Sequence, residues 1–299
     1  MKWPVFWGAV AIGLGVMVVQ GGEAARMFRF ALSETLVSKN VGTSDARQAM
    51  AAWESEIKRQ VPNFVSFEVS VPSSADISRR FRSGEYDAVV VTAFEYPSIA
   101  SLADSVLMIN EATPEGEEYL LLVHQDSGIK SVADLRGRKI SIYDHPKMNV
   151  ARVWLDTLLA NSKMAPAENY FSTITSNPKL NLTVLSVFFK NMDACLVAKR
   201  SFATMTELNP QLNVKLQVLA ASPKLVSSVL VFRKDTPLQS RKDFESALNS
   251  LKGAPAGQQA LALFDGTGIV KTNVSILKVS LDLIAAHERL RPKAGSGGK

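Results

Sequence analysis

Residues 86–91 read Tyr-Asp-Ala-Val-Val-Val and residues 119–123 read Tyr-Leu-Leu-Leu-Val, two short apolar runs without polar alternation. A strand that faces water on one side alternates, so a continuous run of this length belongs to a strand covered on both faces. Similar runs recur at 139–143, 194–198 and 229–232, with helical patterns between them. In 45–59, Ala46, Met50, Trp53 and Ile57 share one helical face, and Asp45 with Gln48 reads as a capping box. In 149–161 the inward set is Val150, Val153, Trp154 and Leu158. Further strands are expected at 28–32 and 64–71. Shorter helical segments are expected at 76–82, 131–135 and 182–189, and late helices at 242–251 and 256–264. Strands alternating with helices at this spacing predict an α/β fold with mainly parallel sheets.

At 299 residues, the chain has room for about two domains. Cys195 is the only cysteine, which excludes an intrachain disulfide framework and zinc or iron–sulfur sites built on several thiolates. It falls mid-strand and reads as buried and unreactive. The charge balance, 34 Lys and Arg against 28 Asp and Glu, gives +6 spread along the chain. No basic stripe with interleaved aromatics appears, so nucleic acid is not an expected partner.

Lys2 precedes an apolar run from Trp3 to Val19, followed by Gln-Gly-Gly-Glu-Ala-Ala. A positive start, an apolar middle and small residues at its end describe an export signal. Gly22 and Ala24 fit the −3 and −1 positions of a cleavage after Ala24. The alternative is an uncleaved anchor, for which the run is slightly short. Residues 291–299 are basic and glycine-rich and read as a disordered tail, its boundary set at 286.

Two internal echoes organise the rest. Residues 81–91, Phe-Arg-Ser-Gly-Glu-Tyr-Asp-Ala-Val-Val-Val, parallel residues 187–197, Val-Phe-Phe-Lys-Asn-Met-Asp-Ala-Cys-Leu-Val, with an aromatic (Tyr96, Phe202) nine residues past each Asp. Residues 120–126 and 229–235 are likewise apolar strands running into polar turns that end in Asp. The first pair predicts two lobes on one plan, the second two strands crossing between them; chance likeness of apolar strands is the alternative.

Residues 127–141, Ser-Gly-Ile-Lys-Ser-Val-Ala-Asp-Leu-Arg-Gly-Arg-Lys-Ile-Ser, resemble a phrase of type II periplasmic solute-binding proteins of ABC importers. Tyr86-Asp-Ala, Met192-Asp-Ala and Ala256-Gly-Gln-Gln-Ala-Leu resemble others, the phosphate/phosphite/phosphonate-type binders being the most similar subfamily. The likeness covers roughly residues 26–273. It implies a two-lobed Venus-flytrap that captures a small anion between its lobes and hands it to a permease, or, in a second reading, reports it to a receptor or kinase. Lobe 1 would comprise 26–118 and 229–285, lobe 2 would comprise 119–228, and the hinge would lie near 120–124 and 229–233. The expected protein is exported, periplasmic, monomeric and not an enzyme.

Ligands in open α/β sheets gather at the carboxyl ends of strands, where helix N-termini point free N–H groups outward. The strand ends here offer Ser33-Glu34-Thr35, then Thr92-Ala93-Phe94-Glu95-Tyr96, then Tyr143-Asp144-His145, then Lys199-Arg200-Ser201, of which Ser33, Thr92, Phe94, Tyr96, Tyr143, His145, Lys199 and Arg200 are the expected ligand contacts. Hydroxyls of Ser33, Thr92, Tyr96 and Tyr143 are expected to donate to an oxyanion, and Lys199 or Arg200 to supply charge. Plainer roles stand beside these: Tyr96 and Tyr143 as packing, Lys199 and Arg200 as solvated charges, His145 as a loop residue. Where the family carries Ser and Thr hydroxyls, residues 143–149 read Tyr-Asp-His-Pro-Lys-Met-Asn, and an acidic position after the last strand of that lobe is replaced by Ala198-Lys199-Arg200. No phosphate-binding P-loop, nucleophile elbow or metal-ligand spacing of His124, His145 and His287 occurs, and no cofactor or metal is expected.

Overall fold

The apolar runs divide between two sheets. A computed structural model describes residues 27–37, 43–60, 67–108, 113–263 and 268–290. The strands are β1 (Phe28–Leu32), β2 (Phe67–Ser70), β3 (Ala88–Thr92), β4 (Ala103–Met108), β5 (Tyr119–His124), β6 (Lys139–Tyr143), β7 (Thr173–Asn177), β8 (Ala194–Ala198), β9 (Leu216–Ala221), β10 (Ser228–Arg233) and β11 (Val270–Thr272). One sheet has the order β11-β4-β10-β3-β1-β2, the other β7-β6-β8-β5-β9. The helices are α1 (Thr43–Gln60), α2 (Ser74–Arg82), α3 (Ala151–Asn161), α4 (Ala167–Tyr170), α5 (Leu180–Phe188), α6 (Lys199–Leu208), α7 (Gln211–Lys215), α8 (Leu238–Asn249), α9 (Pro255–Leu263) and α10 (Lys278–Leu290).

The parallel arrangement read from the sequence is confined to β2-β1-β3 and β7-β6-β8. All other pairs are antiparallel, so both sheets are mixed. The physical reason lies in the connections: β5 and β10 each enter a sheet from the other lobe, not through a βαβ crossover, and so run against their neighbours. Strands β4, β7, β9 and β11 have no counterpart in the sequence reading; β7 and β9 are half-exposed edges without a continuous apolar run.

Alternate residues of the central strands feed different cores. Phe28, Phe30 and Leu32 join Val90, Leu230 and Phe232 around Phe244 of α8, whose ring stacks on Phe28 at 4.6 Å. On the other lobe, Leu120, Leu122, Cys195 and Val197 pack against Val184, Val187 and Phe202. Burial raises the Cys195 thiol, consistent with an unreactive core residue. The opposite faces of both sheets share one larger core. Val89, Val91, Val229 and Val231 of one sheet and Leu121, Val123, Ile140 and Leu196 of the other meet there with Trp154, Leu277 and Ile284.

The two strands expected to form the hinge, β5 and β10, are each held inside one sheet by neighbours on both sides. The lobes are linked through 113–118 and 222–227. These touch at Glu117 and Leu225, whose backbones exchange two hydrogen bonds of 2.8 Å. Helix α10 adds a third tie. It packs on α3, its buried Ser280 Oγ accepts the Val226 N–H at 2.7 Å, and His287 Nε2 stands 3.3 Å from Asp156 Oδ2. The helix continues to Leu290, so a tail starting at 286 does not hold for residues 286–290: the buried Ile284 and the His287 contact fix its last turns. The export signal (1–24) and the tail residues 291–299 lie outside the described residues, as do the start of the expected 64–71 strand and the side chains of Ala46, Met50, Trp53 and Ile57.

Candidate functional site

Beyond β6 the chain makes a tight, proline-set turn before α3. Asp144 N–H bonds the Asn177 carbonyl at 2.7 Å, His145 Nδ1 accepts Lys147 N–H at 3.3 Å, and Pro146 opens a 3-10 turn that ends at Met148. The Tyr143 and His145 rings stack at 5.3 Å and 14°. Helix α3 then begins with Val150 as its N-cap, a residue with no side chain able to cap it. Its first-turn amides thus lack a side-chain acceptor, while Val150 and Ala151 at this end are fully buried.

This turn forms one wall of a hollow of about 320 Å³ whose other wall is Thr35 and Val37, beyond β1. Residues of both lobes therefore line one cleft. Asn149 and Arg152, three residues apart at the head of α3, both reach it. Asn149 Nδ2 donates to the Ser227 carbonyl at 3.2 Å, which leaves its Oδ1 without a hydrogen bond. Arg152 Nε stands 3.6 Å from Asp156 Oδ2, too far for a hydrogen bond, and its Nη2 stands 3.6 Å from Glu168 Oε1. Asn149 Oδ1 and Arg152 Nε are the two buried side-chain polar atoms left unbonded among the described residues, and both belong to the cleft. A buried polar atom without a hydrogen-bond partner costs about 1–3 kcal/mol, and for Arg152 Nε the nearby Asp156 carboxylate offsets part of this.

The first-lobe hydroxyls are already engaged. Ser33 is fully buried, and its Oγ donates to Glu95 Oε1 at 2.6 Å. Thr92 donates to Glu95 Oε2 through both its backbone N–H (2.8 Å) and Oγ1 (2.9 Å). Glu95 is itself buried. Tyr96 lies in the shared core, where burial raises its phenol, while Phe94 is exposed. None of these five residues lines the cleft; Tyr143 and His145 do.

Lys199 and Arg200 stand elsewhere. They line a second hollow, of about 400 Å³, with Glu115, Glu117, Glu118 and Lys224 of the linking segments. Because α6 starts directly at Lys199, its first residues meet 117–118. Lys199 Nζ bonds Glu118 Oε2 at 2.6 Å, and Arg200 N–H donates to Glu117 Oε1 at 3.3 Å. The two hollows share no lining residue. Burial raises the Glu117 carboxyl, opposed first by the Arg200 N–H and then by the Lys147 charge.

A two-lobed α/β chain with an interlobe cleft matches the family model described as "ABC transporter, phosphonate, periplasmic substrate-binding protein" over residues 40–275. The chain belongs to this family. As a phosphonate-type periplasmic binding protein it is not an enzyme, and among the described residues no group of three or more metal-ligating side chains stands together. Solved structures share its fold at low identity. A binding-protein component of an ABC phosphonate transporter from Pseudomonas aeruginosa is 14% identical, with a TM-score of 0.55 and 90% of each chain covered. A Xanthomonas citri protein solved with chloride is 16% identical, with a TM-score of 0.60, covering 89% of this chain and 98% of that one. PhnD1 from Prochlorococcus marinus, solved with methylphosphonate, is 13% identical, with a TM-score of 0.57 over 89% and 99%. No curated protein matches.

Asn149 and Arg152 are absent from the sequence-derived strand ends, and Thr35 and Glu95 stand in them without being among the expected ligand contacts. Asn149 and Arg152 carried a signal: both follow the His145-Pro146 turn at i,i+3 spacing, so they share the opening face of α3. Glu95 carried none, since a glutamate beside two aromatics reads as surface.

Proposed function

We propose that this phosphonate-type binding protein captures a small oxyanion in the cleft between Thr35 and the head of α3, and delivers it to an ABC permease. The observation that carries the reading is that Arg152, a cation, lines the same hollow as Thr35 of the other lobe. A forked cation suits a tetrahedral anion with several oxygens. Tyr143 and His145 form the adjoining wall, and the likeness to PhnD1, solved with methylphosphonate, supports a ligand of that class.

Thr35 and Arg152 stand on different lobes, so a ligand touching both draws the lobes together. Closure follows only from tighter binding to the closed form. Lys199 and Arg200 act at the linking segments instead of on the anion, and the protein works as a monomer. Residues 1–24 serve as an export signal removed after Ala24, which mass spectrometry of the natural N-terminus tests.

Thermal unfolding against phosphate, methylphosphonate, sulfate and methanesulfonate tests the ligand class. A ligand at 100 times its Kd stabilises by about 2.7 kcal/mol. No shift with any of the four removes the oxyanion reading.

A further inference from the structure

Resting on that oxyanion reading, the hydroxyls of the first lobe carry further information, because their protons can be assigned. Glu95 Oε1 and Oε2 are acceptors, which commits the Ser33 proton to Oε1 and the Thr92 proton to Oε2. Ser33 Oγ and Thr35 Oγ1 lie 2.8 Å apart, and either could donate by distance alone. With its own proton already spent on Glu95, Ser33 must accept. The bond therefore runs from Thr35 to Ser33 to Glu95, and Thr35 has only lone pairs left to offer. Thr35 supplies the one polar side chain that the first lobe adds to the cleft among the described residues. Across the hollow, Asn149 Oδ1 is a second acceptor without a donor.

We infer that Glu95 is a positioning residue that makes the first-lobe wall of the cleft accept hydrogen bonds, so that the protein selects an oxyanion that still carries a proton. The class is a monoprotonated phosphonate or phosphate, whose P–OH can donate to Thr35 while its bare oxygens face Arg152. A sulfonate of the same shape and charge has no proton to give. Its oxygen would meet the Thr35 lone pairs, acceptor against acceptor, and discrimination of this kind is strong because it leaves polar groups unpaired.

Methylphosphonate and methanesulfonate separate proton from charge and shape in mildly acidic buffer, where both are tetrahedral monoanions and only the first carries an O–H. Calorimetric titration of the mature protein is expected to show methylphosphonate bound at least about tenfold more tightly. Thr35→Val keeps the side-chain shape at an exposed position and removes the acceptor, so the ratio should fall towards one. Glu95→Gln is the sharper arm. The Thr92 N–H requires an oxygen at Oε2, which places the amide nitrogen opposite Ser33. Ser33 must then accept from it and donate to Thr35, and the Thr35 hydroxyl turns its proton to the cleft. The preference should shift towards methanesulfonate in this variant, a reversal that a merely structural role for Glu95 would not produce. Equal binding of the two anions by the unmodified protein overturns the inference while leaving the oxyanion reading intact. So does an unchanged ratio in Thr35→Val, whose exposed site keeps the test independent of how Glu95→Gln folds. Binding of neither anion removes the oxyanion reading and the inference with it.

Discussion

Gly116 passes so close to Leu225 that a Cβ on it would stand 2.8 Å from the Leu225 carbonyl carbon and oxygen. Its φ of +105° is one that residues with a Cβ rarely adopt. The next residue, Glu117, makes the two-bond bridge to Leu225, so this glycine is what allows the linking segments to touch. Gly116→Ala should lower stability by about 1–3 kcal/mol from backbone strain, with the clash adding to it. Urea unfolding measures this, and a change within error would mean the segments part easily.

Arg152→Gln should remove most of the oxyanion response while largely sparing the fold. The guanidinium contributes charge to the cleft, and its 3.6 Å contacts to Asp156 and Glu168 are loose. Asp156 keeps the Ala167 N–H at 3.1 Å and His287. A loss of about tenfold or more in affinity is expected for a charged hydrogen bond. Titration of the variant with methylphosphonate checks it; undiminished binding would place the anion elsewhere.

Lys199→Ala should leave oxyanion affinity nearly unchanged. Its ammonium is paired with Glu118 beside the second hollow, half-exposed, where such pairs contribute about 0–1 kcal/mol. A large loss of affinity would move the binding site from the α3 cleft to the linking segments.

Glu117→Gln should flatten part of the pH dependence of stability. Burial raises the native carboxyl above its unfolded value, so the native state holds the proton more tightly. The stabilising contribution of the protonated form is complete below the ordinary glutamate range and is lost as pH rises through the raised value. The glutamine amide stays neutral and its oxygen can still accept the Arg200 N–H. The gap in melting temperature between variant and parent should therefore shift in favour of the variant between about pH 4 and pH 7. A constant gap across that range would show that Glu117 does not titrate differently on folding.

Ser280→Ala should destabilise by about 1–3 kcal/mol, because the buried Val226 N–H loses its acceptor. The same change unties α10 from the linking segment, so ligand-induced closure measured by small-angle scattering should alter as well. Unchanged stability would mean that another group replaces the Ser280 oxygen.

The fold class was legible because its strongest signals are local. Continuous apolar runs mark β3, β5, β8 and β10, and the repeated Asp-Ala opening marks equivalent strands in two lobes: Asp87 bonds Arg29 N–H at 2.9 Å as Asp193 bonds Lys139 N–H at 2.8 Å. The position of Tyr143 and His145 beside the hollow is legible on the same footing, since a strand end followed by proline and a helix can be read in one window. Strand direction could not be read that way, nor the fate of the first-lobe hydroxyls. A hydroxyl's role depends on which acceptor reaches it first, and Glu95 reaches Ser33 across 62 residues of chain. Lys199 likewise meets Glu118 across 81 residues, and this contact places its charge beside the linking segments. Burial pattern is a property of short segments and is written into them. Hydrogen-bond and charge partners are chosen by distance in the folded chain, which only the packing of β1, β3, α3 and α6 against one another decides.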